Sequence, residues 1–167
     1  EIRLSLVGSE MCIRDSRTVR PSDPAFTSIH AIAELDSVLP ETDLLVMALP
    51  STAETAGILS RERIALLPDS AFVVNVGRGT AIDQEALCDA LNAGQLAGAA
   101  LDVVVPEPLP ADHPLRRAKN LLLTPHVAGN MTLGYTCDKS VQMFCDDLEN
   151  YAAGRPLAHL VDRKRGY

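Results

Sequence analysis

Short apolar runs alternate with amphipathic stretches along most of this chain. Residues 44–49 (LLVMAL), 71–76 (AFVVNV), 97–103 (AGAALDV) and 120–124 (NLLLT) are too short for buried helices and are bounded by turn-forming residues, so they predict strands. Residues 29–39 predict a short helix that stops before Pro40. Residues 54–67 carry Ile58, Ile64 and Leu67 as the apolar positions of another, halted by Pro68-Asp69. Asp83 is the expected cap of a helix over 84–93, with Leu87 and Leu91 on its apolar face and Gly94 at its end. A Pro-rich loop runs from Pro106 to Pro114, and a short turn or helix follows it. A long helix is predicted over 131–153; Gly154 ends it, Pro156 prevents its continuation, and the tail 157–167 is expected to be extended.

Strands alternating with helices imply right-handed βαβ units and a parallel sheet. The fold class expected is α/β, a partial doubly wound parallel sheet with its N-terminal region missing. The uninterrupted LLVMAL run predicts a strand buried on both faces. Residues 1–16 (EIRLSLVGSEMCIRDS) have no clear helical or strand period and resemble a translated sequencing adaptor. They are expected to be non-native, with true protein starting near Arg17, against the plain alternative of a genuine strand and loop, so Gly8-Ser9-Glu10 is not read as a phosphate loop. The domain limits that follow are 17–153 for the α/β unit and 154–167 for a tail.

A chain of 167 residues can bury one sizeable core. No apolar run reaches the roughly 18 residues of a membrane-spanning helix, so no membrane partner is expected. The net charge of −7 argues against nucleic-acid binding, which needs a basic face. The run Arg163-Lys164-Arg165 reads as a solvated tail. Four cysteines, Cys12, Cys88, Cys137 and Cys145, form no CxxC pair and have no histidine at zinc-like spacing. No metal site is expected, and a reduced cytoplasmic chain is the simpler reading.

Open α/β sheets bind ligands beyond the carboxyl ends of their strands. Each predicted strand delivers an unusual residue there: Pro50-Ser51-Thr52, then Arg78 between Gly77 and Gly79, then Asp102, then His126. Arg78 has the planar guanidinium that holds a carboxylate with two bonds, against the plain alternative of an exposed loop arginine. His126 offers an imidazole for proton exchange, with Pro125 fixing its approach and Ala128-Gly129 keeping the next turn small. His30, His113 and His159 are left as ordinary histidines. Glu107, between Pro106 and Pro108, is either a partner that stabilises charged His126 or a solvated loop acid. Asp102 ends an apolar strand and needs a partner, either a cofactor amide or a turn.

Four stretches carry a resemblance: LPSTAETAGIL (49–59), VVNVGRGTAIDQEALCDAL (73–91), GAALDVVVPEPLP (98–110) and LLLTPHVAGN (121–130). In this order and spacing the chain from about Arg17 to Tyr167 resembles the later NAD-binding domain and C-terminal segment of D-isomer-specific 2-hydroxyacid dehydrogenases. The resemblance implies a Rossmann-like fold, NAD or NADP as cofactor, and hydride exchange with a small 2-oxo or 2-hydroxy acid. It implies that Arg78 binds the substrate carboxylate, that His126 is the acid/base and that Glu107 pairs with it. It also implies that Asp102 contacts the nicotinamide carboxamide. Pro50, Thr52, Val76, Gly77, Arg78, His126, Ala128 and Gly129 would line the cofactor site, mainly through the backbone. Residues 154–167 would belong to the substrate domain, and a homodimer is a family expectation. Glyoxylate- or hydroxypyruvate-like substrates fit the resemblance without being selected by it.

The departures matter too. No GxGxxG turn and no cofactor-selecting acid are present, and the arginines of Arg17-Thr18-Val19-Arg20 leave NADP open. Val104 stands where the family commonly has an aromatic. The truncated chain alone is therefore expected to be inactive. A non-catalytic, nucleotide-sensing regulator of the same fold is the rival reading. Loss of Arg78, Glu107 or His126 would mark it, and all three are present.

Overall fold

The structure is a computed structural model; it describes residues 30–129 and 134–161, and the backbone of 4–7. Chain contacts divide it into two units, Glu1–His126 and Val127–Tyr167. Among the described residues the first unit has five strands: β1 (Leu4–Val7), β2 (Leu44–Met47), β3 (Phe72–Asn75), β4 (Gly98–Leu101) and β5 (Leu121–Leu123). All neighbours are parallel and the spatial order follows the chain. β1 lies in the stretch expected to be non-native, for which a strand was the alternative reading. The remainder of 1–16, the arginines at 17 and 20, Cys12 and the basic run 163–165 lie outside the described residues.

Register sets one buried face. Leu45, Val73 and Ala99 stand side by side, as do Met47, Asn75 and Leu101, and all six are buried. The helix α3 (Gln84–Ala93) contributes Ala86, Leu87, Cys88, Ala90 and Leu91 to the same core. It forms as the sequence predicts. The Asp83 carboxylate accepts from the Ala86 amide at 2.9 Å, and Gly94 closes the helix with φ 74°. The expectation that LLVMAL is buried on both faces is corrected: Leu44 and Val46 are only half-buried, and on the same face Phe72 is 51% and Leu122 62% exposed. Because sheet order follows the chain, right-handed crossovers put the connections between β2 and β5 on one face.

Two helix expectations are also corrected. The stretch read as a helix over 29–39 is a broken series: a 3₁₀ turn at Ile32–Glu34, α1 (Leu35–Val38) and a second 3₁₀ turn at Leu39–Glu41. Pro40 does not stop it, since it sits in the first turn of that last piece, where its missing N–H is not needed. In place of a helix over 54–67 only α2 (Arg61–Ile64) forms, capped by Ser60. Residues 57–59 are drawn to a neighbouring segment instead. The Gly57 amide donates to the Thr80 carbonyl (2.8 Å), the Leu59 amide to Ala81 (3.0 Å), and the Asp83 amide to Leu59 (3.0 Å). Gly57 turns the chain with φ 62°.

In the second unit, α4 (Gly134–Ala152) ends at Gly154, φ 66°, as the sequence predicts. Residues 131–133 of the expected helix lie outside the described residues. The tail is not simply extended. The amides of Ala158 and His159 donate to the Asp147 carboxylate at 2.7 and 3.1 Å. Those bonds, the Ala158 one foremost, hold the Asp147 carboxyl below its ordinary pKa.

Candidate active site

The turn after β3 is organised by Asn75, a side chain only 1% exposed. Its Oδ1 accepts from the Gly77 amide at 3.0 Å, and its Nδ2 donates to the Arg78 carbonyl at 3.0 Å. Both neighbours of Arg78 must be glycine. A Cβ on Gly77 would lie 2.5 Å from the Leu49 nitrogen, and one on Gly79 would lie 2.5 Å from the Val104 carbonyl carbon. Backbone thus meets backbone on either side, and Arg78 is left extended and exposed (φ −138°, ψ 140°). Its guanidinium donates to the Gly77 carbonyl at 2.8 Å.

His126 follows β5 in the left-handed region, φ 55°, uncommon for a residue with a side chain. Its amide donates to the Asp102 carbonyl at 2.9 Å, and the Asp102 amide in turn donates to Asn75 at 3.0 Å. One row of backbone bonds therefore ties the ends of β3, β4 and β5 together. The His126 ring places Nδ1 2.7 Å from Glu107 Oε2. Glu107 Oε1 accepts from the Val104 amide at 3.0 Å.

These bonds hold the Glu107 carboxyl below its ordinary pKa. The His126 bond is the largest cause, the Val104 amide comes next, and the charges of His126 and Arg78 add to them. A carboxylate only accepts, so Nδ1 carries the proton and Nε2 is the atom left for exchange. The charge of Arg78 adds a smaller lowering of the Glu107 carboxyl, and the backbone row joining the ends of β3, β4 and β5 brings Arg78 and His126 to the same edge of the sheet.

Asp102 is buried and accepts from the Thr124 hydroxyl at 2.5 Å. Of the two readings left open for it, a local partner is present. The turn at Pro50-Thr52 is closed by buried Thr55, whose hydroxyl donates to the Pro50 carbonyl (2.6 Å) and accepts from the Thr52 amide (2.9 Å). The amides of Thr52, Val76 and Gly77 are all engaged internally, Val76 with the Met47 carbonyl at 2.9 Å. Val76 offers a side chain that is 41% exposed. Ala128 and Gly129 belong to the second unit and are exposed. His113 caps the 3₁₀ turn Pro114–Arg117 by accepting from the Leu115 amide (3.3 Å), and His159 faces Asp147.

Sequence reasoning missed Asn75, Thr55 and Thr124, which shape these turns. A polar residue closing the apolar run AFVVN was the one available signal.

The chemistry of this donor set suits a nicotinamide and a small acid. An exposed apolar side chain, a guanidinium, an imidazole and a buried carboxylate all stand at the carboxyl ends of parallel strands. Fold and site together define a dinucleotide-binding α/β unit of the Rossmann type. A profile described as D-isomer specific 2-hydroxyacid dehydrogenase, NAD binding domain, matches residues 3–128. The chain belongs to the D-isomer specific 2-hydroxyacid dehydrogenase family.

Glyoxylate/hydroxypyruvate reductase A of Klebsiella pneumoniae (strain 342) is 40% identical over 148 residues, which are 89% of this chain and 46% of that protein. A D-isomer specific 2-hydroxyacid dehydrogenase from Xanthobacter autotrophicus Py2, solved with NADPH and MES, superposes with a TM-score of 0.78 at 35% identity over 89% of this chain and 60% of that one. An NADPH-dependent glyoxylate/hydroxypyruvate reductase from Sinorhizobium meliloti, solved with NADP and sulfate, gives 0.73 at 31% identity over 84% and 45%. The chain spans about half the length of the curated relatives it matches.

Proposed function

We propose that this chain supplies the nicotinamide-binding part and the acid–base pair of an NADPH-dependent reductase of small 2-oxo acids such as glyoxylate or hydroxypyruvate. The observation that carries the proposal is the 2.7 Å contact between Glu107 and His126 with the charge of Arg78 acting on it. Arg78 takes the substrate carboxylate and polarises the neighbouring carbonyl. Glu107 holds Nδ1, so that His126 delivers its proton from Nε2 to the oxygen of the reduced carbonyl. A nicotinamide held beside these residues would supply the hydride for the carbonyl carbon.

Pro50, Thr52, Val76, Gly77 and Asp102 are proposed to hold the cofactor's nicotinamide end, with Ala128 and Gly129 following His126 into the same role. The phosphorylated cofactor is favoured because both structural relatives carry it. The three described cysteines are unpaired, which suits a reducing, cytoplasmic setting. No described helix is long and apolar enough to cross a membrane. Residues 1–16 are proposed to be non-native, 17–153 to form the cofactor domain, and 154–167 to belong to a substrate domain.

The test is oxidation of NADPH and NADH by the whole protein with glyoxylate or hydroxypyruvate, in the wild type and in Arg78→Ala and His126→Ala. Turnover that nearly vanishes in both variants is expected. A wild type without turnover would defeat the proposal, and activity retained in either variant would remove that residue from the mechanism.

A further inference from the structure

Glu107 sits on a segment with little apolar anchorage. Val105, Pro106, Glu107 and Pro108 are all exposed, between buried Val103 and buried Leu109. Exposed loop residues do not hold a carboxylate at hydrogen-bond distance from an imidazole unless something fixes their backbone. Arg116 holds the far end, donating to the Leu109 and Pro110 carbonyls at 2.6 and 2.8 Å, and Gln84 holds the near end, at Val105. Its Nε2 donates to the Val105 carbonyl at 2.6 Å, and its Oε1 accepts from the Val105 amide at 2.8 Å. The side-chain amide therefore closes a two-bond ring with the backbone of one residue, and the opposite polarity of the Val105 groups fixes which end of the amide is oxygen. Among uncharged side chains of this length only glutamine carries both a donor and an acceptor to match the C=O and N–H of one residue.

Gln84 is itself rigidly placed. It is the first residue of α3, whose later turns bury Leu87 and Leu91, and whose N-terminus is capped by Asp83. The chain of contacts then runs from the core through α3 to Gln84, to Val105, to the adjoining Val104 amide, to Glu107 and to His126 Nδ1.

We infer that Gln84 is a positioning residue for the acid–base pair, holding the Val104–Glu107 loop so that the carboxylate meets His126. The inference rests on the reductase reading for its catalytic meaning, but the placement of Glu107 by Gln84 stands apart from that reading and is measured separately.

The measurement is a carboxyl NMR titration of Glu107 in the 167-residue chain, its resonance assigned with Glu107→Gln. In the wild type, Glu107 titrates below its ordinary value because of His126 and the Val104 amide. Gln84→Met keeps length and helix preference but has no amide, and Gln84→Ala removes the side chain. Both variants are expected to shift the Glu107 midpoint upward, towards that of a free glutamate. Glu85→Gln, an exposed neighbour on the same helix, leaves it in place. A Glu107 midpoint in Gln84→Met equal to that of the wild type, under conditions where His126→Phe raises it, would overturn the inference.

In the whole protein, Gln84→Met is expected to lower kcat about tenfold or more with KM for the cofactor unchanged. Absence of any wild-type turnover would instead count against the reductase proposal, and the Glu107 shift would still decide the role of Gln84.

Discussion

Replacing Gly79 by alanine probes the most crowded point of the site. The new Cβ would stand 2.5 Å from the Val104 carbonyl carbon, 2.6 Å from its oxygen and 2.7 Å from its Cα. Ordinary carbon–carbon contact lies at about 3.5–4.0 Å, so Val104 must withdraw by roughly 1 Å. All three atoms are backbone, so no rotamer change relieves the overlap. The expected loss of stability is about 1–3 kcal/mol, the range for forcing a methyl group into a filled space. The displacement has a chemical consequence as well. The Val104 amide is a donor to Glu107, and withdrawing it weakens one of the two bonds that keep that carboxyl below its ordinary pKa.

Urea denaturation followed by circular dichroism measures the first effect, and the Glu107 carboxyl titration measures the second. Gly57→Ala is the control. Gly57 has φ 62° and open space around it, so alanine there costs about 1 kcal/mol through backbone strain and leaves Glu107 untouched. A Gly79→Ala protein with wild-type urea midpoint and wild-type Glu107 titration would refute the close-approach reasoning.

Three further outcomes follow from the same geometry. Asn75→Ala strips partners from the Gly77 amide and the Arg78 carbonyl and is expected to cost about 1–3 kcal/mol in urea denaturation; a loss below about 0.5 kcal/mol would contradict its bracing role. Glu107 has a lowered pKa in the folded state, so its contribution is present above the ordinary carboxyl value and is lost as pH falls through the lower folded value. The stability difference between wild type and Glu107→Gln should accordingly shrink on acidification, and it should stay below about 1 kcal/mol because the pair is partly exposed; a difference that grows towards acid would have the wrong sign. Leu87→Ala, in the fully buried row of α3, is expected to cost about 2–5 kcal/mol, whereas Leu122→Ala on the open sheet face should change stability by no more than about 0.5 kcal/mol.

Strands β2 to β5, the Asp83 cap and the Gly94 stop were legible because each depends on residues close in sequence. The positions of Arg78 and His126 just past the ends of β3 and β5 were legible for a related reason. A charged or titratable residue that punctuates an apolar run is conspicuous when runs of that kind must end on one edge of a sheet. Glu107 was not settled by local pattern, since its partner stands 19 residues away and only the fold brings them together. The same applies to Gln84, which meets Val105 across 21 residues and reads locally as one more polar residue on a helix. The helix expected over 54–67 failed because the backbone of 57–59 finds better partners in 80–83, a tertiary choice that a helical period does not reveal. The series over 30–41 ran past Pro40 because a proline early in a 3₁₀ turn loses no hydrogen bond.

Everything proposed for function depends on Arg78 and His126 addressing the same small molecule. Side-chain NMR of the whole protein saturated with NADPH, titrated with oxamate as an unreactive 2-oxo acid analogue, reads both groups at once. The guanidinium resonances of Arg78 and the imidazole resonances of His126 should move together along one saturation curve. Movement of one group without the other, or of neither at saturating oxamate, would contradict the shared site.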